Sequence, residues 1–251
     1  MGSIHIQGAE QIGSILINLL FPNRCAFCTS LIQTGCCVCE RCLKELPFIE
    51  GYACVHCGAP LSSDFLETSC QQCADLAFGF RTNRSLGIYT GKLKELIQLY
   101  KFQKRRLLKK MFVDVLVTHN HVYINEHEIL VPMPLSRSRY AERGFNQCTL
   151  IAEGIARRTG IPFHGDILKR IGNSRPQSSL GSKSERLANM KDQFVLKSRY
   201  RKLVRDKRVL LFDDVMTTGA TASRCAEALY IENARSVDLL TIGRALVGVE
   251  F

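Results

Sequence analysis

No stretch of this chain approaches the ~20 consecutive apolar residues that a membrane-spanning helix needs. The longest candidate, Ile12 to Phe21, is short, is interrupted by Gly13, Ser14 and Asn18, and follows no basic segment of the kind that opens a secretory leader. Membrane insertion is therefore not expected, and the expected compartment is the cytoplasm. Myristoylation is excluded at the motif level, because Met1-Gly2 would need Ser or Thr where Ile6 stands. A P-loop is missing too: Gly181-Ser182-Lys183-Ser184 has neither the leading glycine nor the Gly-Lys pair of that motif, which argues against an ATPase. Acidic residues are scarce beside basic ones, 23 against 34, and the formal charge of +11 favours phosphate-bearing partners, either a nucleotide-like small molecule or a nucleic-acid backbone.

Cysteine is scarce through most of the 251 residues and dense in one place. Ten of the twelve fall between Cys25 and Cys73, and eight form Cys-x2-Cys pairs: Cys25/Cys28, Cys39/Cys42, Cys54/Cys57 and Cys70/Cys73. Two thiolates three positions apart can share one ion, and two such knuckles complete a tetrahedral Zn²⁺ site with no open position, so structural zinc is expected. Sequential pairing is the simplest wiring, and spacing leaves a cross-braced one open. Disulfides compete only in an oxidising compartment, for which nothing argues. A knuckle often needs a residue tolerant of a left-handed backbone after its second cysteine. Gly58 supplies it once, whereas Thr29, Leu43 and Ala74 hold the matching places. Cys36 and Cys37 are either substitute ligands or small buried residues, the latter favoured; Cys148 and Cys225 are expected in the core. His56 is expected to be a surface bystander.

Beyond the cysteine-rich region, with a boundary placed near Asp75 to Gly79, strand and helix patterns alternate. Ser85 to Tyr89 reads as a strand, Leu93 to Phe102 and Leu107 to Val117 as helices, and Ile129 to Val131 as a strand stopped by Pro132 and Pro134. Thr149 to Thr159 reads as a helix ended by Gly160 and Pro162. Val209 to Phe212 is a strong apolar strand, Thr221 onward a helix stopped at Asn233, and Val237 to Ile242 a strand closing the sheet. Such alternation predicts an α/β fold, a parallel sheet covered by helices, with ligands at the strand C-termini. Three segments are expected: residues 1–24 as an N-terminal helical segment, 25–75 as a small zinc-ribbon domain, and 80–251 as the α/β domain.

The richest segment is Val209 to Thr221, an apolar strand that ends in Asp213-Asp214 and opens into Val215-Met216-Thr217-Thr218-Gly219-Ala220-Thr221 before a helix. Hydroxyls and close backbone amides at a helix N-terminus suit a phosphate. Two adjacent carboxylates suit the vicinal hydroxyls of a phosphorylated sugar and a metal that offsets the remaining charge. A buried parallel strand whose aspartates cap the next turn is the plainer alternative.

This order of acidic pair and TTGxT resembles the ribose-phosphate signature of type I phosphoribosyltransferases. With Leu20-Phe21-Pro22 before the knuckles, Val131-Pro132-Met133-Pro134-Leu135, Arg143-Gly144-Phe145-Asn146-Gln147, and Pro176-Gln177 with Leu180, Arg186 and Asn189, nearly the whole chain resembles the ComF family. The resemblance implies a type I phosphoribosyltransferase-like parallel sheet flanked by helices, an N-terminal double zinc ribbon, and a role in natural competence, the handling of incoming single-stranded DNA. It implies that Asp213 and Asp214 face the ribose hydroxyls of phosphoribosyl pyrophosphate (PRPP), that Thr217 to Thr221 hold its 5-phosphate, and that Arg137, Arg139 and Arg143 lie near pyrophosphate and Mg²⁺. It also implies a mobile catalytic loop from Ser174 to Asn189 bearing Arg175, Gln177 and Arg186; family members often carry threonine where this chain has Arg175.

A second reading comes from Lys101, Lys104, Arg105, Arg106, Lys109 and Lys110, with Tyr100 and Phe102 alongside, and from the cluster Arg199 to Arg208. Basic residues with aromatics can track a single strand by phosphate contacts and base stacking, although a solvated helix face has the same composition. The implied partners are thus PRPP, single-stranded DNA and the competence machinery. A non-catalytic strand binder that uses the phosphoribosyl fold as a ligand sensor remains the alternative to a transferase of unnamed acceptor.

Overall fold

The computed structural model describes residues 23–33, 35–62, 68–74, 77–103, 106–171 and 193–246. Most of the expected N-terminal helical segment lies outside them. Short helices α1 (Glu40–Lys44) and α2 (Gln71–Ala74) belong to the cysteine-rich region. There follow β1 (Asn83–Ile88), α3 (Gly91–Gln103), α4 (Arg106–Asn125), β2 (Ile129–Pro132), α5 (Arg137–Arg143) and α6 (Gln147–Thr159). The remainder comprises β3 (Leu168–Ile171), β4 (Gln193–Leu196), α7 (Arg201–Val204), β5 (Arg208–Met216), α8 (Ala220–Ile231) and β6 (Ser236–Arg244).

β1, β6, β5 and β2 form one parallel sheet in that order, and β3 pairs with β4 in a separate antiparallel ribbon. All nine residues of β6 are buried, as are Val209 to Phe212 of β5, the continuous burial of strands covered on both faces. The expected parallel α/β sheet flanked by helices is therefore present. β6 runs inside the sheet, between β1 and β5, rather than closing its edge.

Strand β5 does not stop at Phe212. It continues to Met216 because β6 runs beside it, pairing Asp213 with Thr241, Val215 with Gly243 and Met216 with Arg244. The two aspartates are consequently ladder residues held by backbone pairing. Helix α4 extends past Val117 to Asn125, interrupted at Asn120, whose side-chain amide bonds back to the Leu116 carbonyl. Asn233 takes the left-handed backbone expected of the stop after α8.

The cysteine-rich region is seated on the free edge of β1. Phe48 forms an antiparallel bridge to Gly87, the Ile88 amide donates to Pro47, and the Asn83 amide donates to Val55. An otherwise exposed strand edge is thereby covered.

Candidate functional site

The eight paired cysteines form two clusters, Cys25, Cys28, Cys39 and Cys42, and Cys54, Cys57, Cys70 and Cys73, with the sulfurs of each within 4.8 Å of one another. Sequential wiring is the one the fold adopts. Cys28 and Cys39 sulfurs stand 3.7 Å apart, as do those of Cys57 and Cys70. A tetrahedron with metal–sulfur bonds of ~2.3 Å has edges of about 3.8 Å, so both clusters fit Zn²⁺. Each contains one knuckle on a turn and one at a helix start. Backbone amides of Cys39 and Cys70 donate to the sulfurs of Cys25 and Cys54 at 3.4 and 3.3 Å.

Thr29 adopts φ 58° and Gly58 φ 70°, so the first knuckle takes the left-handed turn even without glycine. Leu43 lies within α1 and Ala74 within α2, where no such turn is needed. The Ser30 hydroxyl beside Cys28 pulls that thiol down to about 5. Cys36 is exposed rather than buried, and Cys37 lies 3.9 Å from the Met111 sulfur; neither joins the first cluster. His56 is exposed, as expected of a bystander.

At the C-terminal end of β5 a cleft of ≈ 350 Å³ opens, lined by Asp213, Asp214, Val215, Thr217, Thr221, Arg139 and Arg143 among others. Residues from distant parts of the chain are thus brought together. The two aspartates are not equivalent. Asp214 is buried, taking Gln147 Nε2 at 2.7 Å on one oxygen and Lys101 Nζ at 3.1 Å on the other. Asp213 accepts from the Asp214 amide at 2.8 Å and from the Cys148 thiol at 3.4 Å. Desolvation first, then the Asp214 charge, holds Asp213 up at about 7.

Below the carboxylates, the Met216–Ala220 turn feeds α8. Gly219 has φ 75°, and a Cβ there would stand 2.8 Å from the Phe78 ring and 2.9 Å from Met216, so both conformation and space demand glycine. It caps α8 without a side-chain hydrogen bond, and Thr218 reaches the Ala220 amide only at 3.4 Å. Amides of the first turn remain available to an anion. Thr217, Thr218, Ala220 and Thr221 are all exposed.

The opposite wall follows β2. Asn146 caps α6 through its side-chain oxygen and donates its Nδ2 to the Met133 carbonyl at 2.9 Å, fixing the loop after β2 to the helix that carries Gln147 and Cys148. Helix α5, capped by Ser136 and ended by left-handed Gly144, presents Arg139 and Arg143. Nε and Nη1 of Arg143 are buried without a hydrogen-bond partner, and its guanidinium lies 5.4 Å from the Phe102 ring centre. Arg137 is exposed and does not line the cleft.

Arg175, Gln177 and Arg186 lie outside the described residues, as do Lys104, Arg105 and the side chain of Arg106. Lys101 turns into the cleft. Lys109 pairs with Glu153 at 3.4 Å, while Lys110 is exposed. Tyr100 is buried and donates to the Gln147 carbonyl; Phe102 is 61% exposed. In the second basic cluster Arg199 pairs with Asp166, Arg201 with Glu232, and Lys207 and Arg208 with Glu128. Sequence reasoning overlooked Lys101, Gln147 and Cys148 as neighbours of the carboxylates. Gln147 stands in the RGFNQ string, which was a signal; for Cys148 only a helical apolar position was legible.

Residues 16–74 match the double zinc ribbon domain family. Over 216 residues the chain is 32% identical to competence protein ComFC of Bacillus subtilis (strain 168), covering 83% of this chain and 84% of that one. The chain belongs to the ComF family of competence proteins. Other members align over nearly their full length. Competence protein F of Haemophilus influenzae is 28% identical over 90% of this chain and 98% of its own. The DNA utilization protein YhgH of Salmonella typhimurium is 26% identical over 91% and 100%. Among solved structures, glutamine PRPP amidotransferase from B. subtilis aligns with a TM-score of 0.40 and 19% identity over 58% of this chain, which spans 30% of that longer one. Purine phosphoribosyltransferase from Pyrococcus horikoshii aligns with 0.36 and 14% over 54% of this chain and 82% of that one. No helix among the described residues of this ComF protein is long and apolar enough to cross a membrane.

Proposed function

We propose that this chain binds PRPP with Mg²⁺ in the β5–α8 cleft and acts as a phosphoribosyltransferase-like protein in the handling of incoming single-stranded DNA. One observation carries the reading: a carboxylate pair, a helix N-terminus without a side-chain cap and an Arg143 guanidinium with two buried nitrogens free of hydrogen bonds meet in one cleft. A ligand that is a sugar flanked by two phosphate groups satisfies all three at once. The names of the ComFC and YhgH relatives support the competence and DNA setting.

In this reading Val215 and Met216 lead the backbone into the cradle, and Thr217, Thr218, Gly219, Ala220 and Thr221 take the 5-phosphate. Asp213 accepts from the ribose hydroxyls; Asp214, already bonded by Gln147 and Lys101, contributes a fixed negative field. Arg139 and Arg143 neutralise the pyrophosphate, with Arg137 contributing charge from outside. The carboxylate of Asp213 would hold Mg²⁺, a hard cation that takes oxygen ligands, and the ion would offset charge on the departing pyrophosphate. The C1–O bond of the donor breaks with its electron pair leaving on pyrophosphate, and the cationic sugar is stabilised by the aspartates until an acceptor lone pair bonds C1. Arg175, Gln177 and Arg186, which lie outside the described residues, are assigned to contact with the donor in this reading.

The two four-cysteine clusters would hold Zn²⁺ as a structural ion. The second reading, a non-catalytic strand binder that senses PRPP, is favoured by Phe102, which is exposed outside the cleft against its lining residue Arg143 and can stack on a base. Pyrophosphate release from PRPP, measured with and without single-stranded DNA, nucleobases and small amines, separates them. Release that needs an acceptor supports the transferase; tight donor binding without release supports the sensor.

A further inference from the structure

Cys148 stands in the first turn of α6 and reaches the end of β5, where its sulfur lies 3.4 Å from Asp213 Oδ1. Among the described residues these two and Asp214 form a further cluster of metal-ligating side chains besides the two of the ribbon, with donor atoms all within 4.8 Å of one another. The neighbouring Gln147 is only 4% exposed and donates its Nε2 to Asp214 at 2.7 Å. A carboxylate only accepts, so that contact fixes which end of the amide is nitrogen and turns Oε1 the other way. Oε1 is buried without a hydrogen-bond partner, in a side chain that lines the same cleft as Cys148, Asp213 and Asp214.

Sulfur changes the chemistry of the carboxylate pair. A thiolate is a soft ligand that favours Zn²⁺-like ions, whereas Mg²⁺ takes oxygen and keeps several waters. A tetrahedral ion bonded at ~2.3 Å to sulfur and ~2.1 Å to oxygen holds the two donors about 3.6 Å apart, close to the spacing of Cys148 and Asp213. Charge fits as well: two carboxylates and a thiolate carry three negative charges, Lys101 balances one through Asp214, and a divalent ion balances the rest. Both ligands are already oriented, since Asn146 Oδ1 accepts from the Cys148 amide at 2.9 Å and Asp213 accepts from the Asp214 amide at 2.8 Å. Unlike the four-cysteine clusters, this one faces a cleft and leaves a coordination position open.

We propose that Cys148, Asp213 and Asp214, with the Gln147 amide oxygen, form a site for a thiophilic divalent cation such as Zn²⁺, separate from the two ribbon clusters. On binding, the S–H bond of Cys148 breaks, its electron pair bonds the metal and the proton passes to solvent. That this ion competes with Mg²⁺ for Asp213 rests on the donor-binding reading above, whereas the site itself does not.

The test uses the full chain with its ribbon clusters filled by Zn²⁺, titrated with Co²⁺ and followed by the thiolate-to-cobalt charge-transfer band, by metal content after dialysis and by calorimetry of PRPP with Mg²⁺. The parent is expected to take one further ion, with the band saturating at one equivalent and no zinc released. Cys148→Ser and Asp213→Asn are expected to weaken that ion at least about tenfold, and Cys148→Ser to lose its band. Cys36→Ser, which removes the exposed thiol, is expected to leave both unchanged. In the parent loaded with one equivalent of Co²⁺, PRPP with Mg²⁺ is expected to bind at least about tenfold more weakly; PRPP binding indifferent to Co²⁺ overturns the competition. No further ion in the parent, or one that keeps its affinity and band in Cys148→Ser, overturns the site; if Cys148→Ser does not fold, Asp213→Asn decides. If the parent without Co²⁺ binds no PRPP, the donor reading fails, while the cobalt stoichiometry still decides the site.

Discussion

Lys101 Nζ lies 3.1 Å from Asp214 Oδ1, with the two side chains only 16% and 9% exposed. A lysine from α3 thereby pairs with one of two adjacent aspartates on β5 and leaves the other to ligands. Because Lys101 also lowers Asp213 against desolvation, its removal acts on both carboxylates. Lys101→Met is expected to cost roughly 3–5 kcal/mol, the usual penalty for orphaning one half of a buried pair. Chemical denaturation checks the cost. A parallel titration of Asp213 by carbon-detected NMR is expected to move above about 7; an unchanged midpoint would disprove the electrostatic coupling.

The raised Asp213 has a consequence for stability. A carboxyl whose folded value lies above its unfolded value contributes stability at low pH that is lost as pH rises, here between about 4 and about 7. Asp213→Asn removes that penalty and is expected to raise Tm at pH 8 by on the order of 5 °C while abolishing donor binding. Melting curves at pH 5 and pH 8 test this; a variant less stable than the parent at pH 8 contradicts it.

Asp238 behaves oppositely. It is fully buried, bonded by Arg81, Thr82 and His127, and burial is outweighed by those partners so that its carboxyl sits well below the usual range. Its stabilisation is present above the unfolded value of about 3.9 and is lost as pH falls through the folded one. Asp238→Asn is expected to cost about 3 kcal/mol or more at pH 7 and to flatten the stability profile in acid. A steep acid transition retained in the variant would place the titrating group elsewhere.

Zinc removal should unseat the edge of the sheet. Since residues 47–49 and Val55 bond to β1, chelation is expected to release both ions and expose β1 amides to exchange. Protection of β1 that survives complete metal loss would show that the ribbon fold does not depend on zinc.

Much of this architecture was legible because its signals are local. Val209 to Phe212 and Val237 to Ile242 are continuous apolar runs, and the four Cys-x2-Cys pairs can close only a few ways. What was not legible depends on neighbours. Asp213 and Asp214 read as the end of a strand because polarity rises there, yet pairing with β6 carries the strand to Met216. Helix α5 is short, polar and exposed, so no apolar period marks it. Lys101 reads like its basic neighbours, and only the approach of α3 to β5 separates it from them. Thr29 adopts a left-handed turn that its residue type does not advertise, because its amide bonds the Cys25 carbonyl.

For single-stranded DNA, the basic surface is smaller than the composition suggests, since Lys101 and Lys109 are paired within the fold. Binding that depends on Lys110 and Phe102 is expected to weaken steeply with salt. Fluorescence anisotropy at two ionic strengths, with Phe102→Ala alongside, measures both contributions; affinity indifferent to salt contradicts phosphate contact.

Calorimetric titration of the full chain with PRPP and Mg²⁺ tests the central claim most directly. The account predicts saturable binding that is lost in Asp213→Asn with Asp214→Asn and weakened at least about tenfold in Arg143→Met. Absence of binding to the parent chain, or binding unchanged in the double aspartate variant, would contradict it.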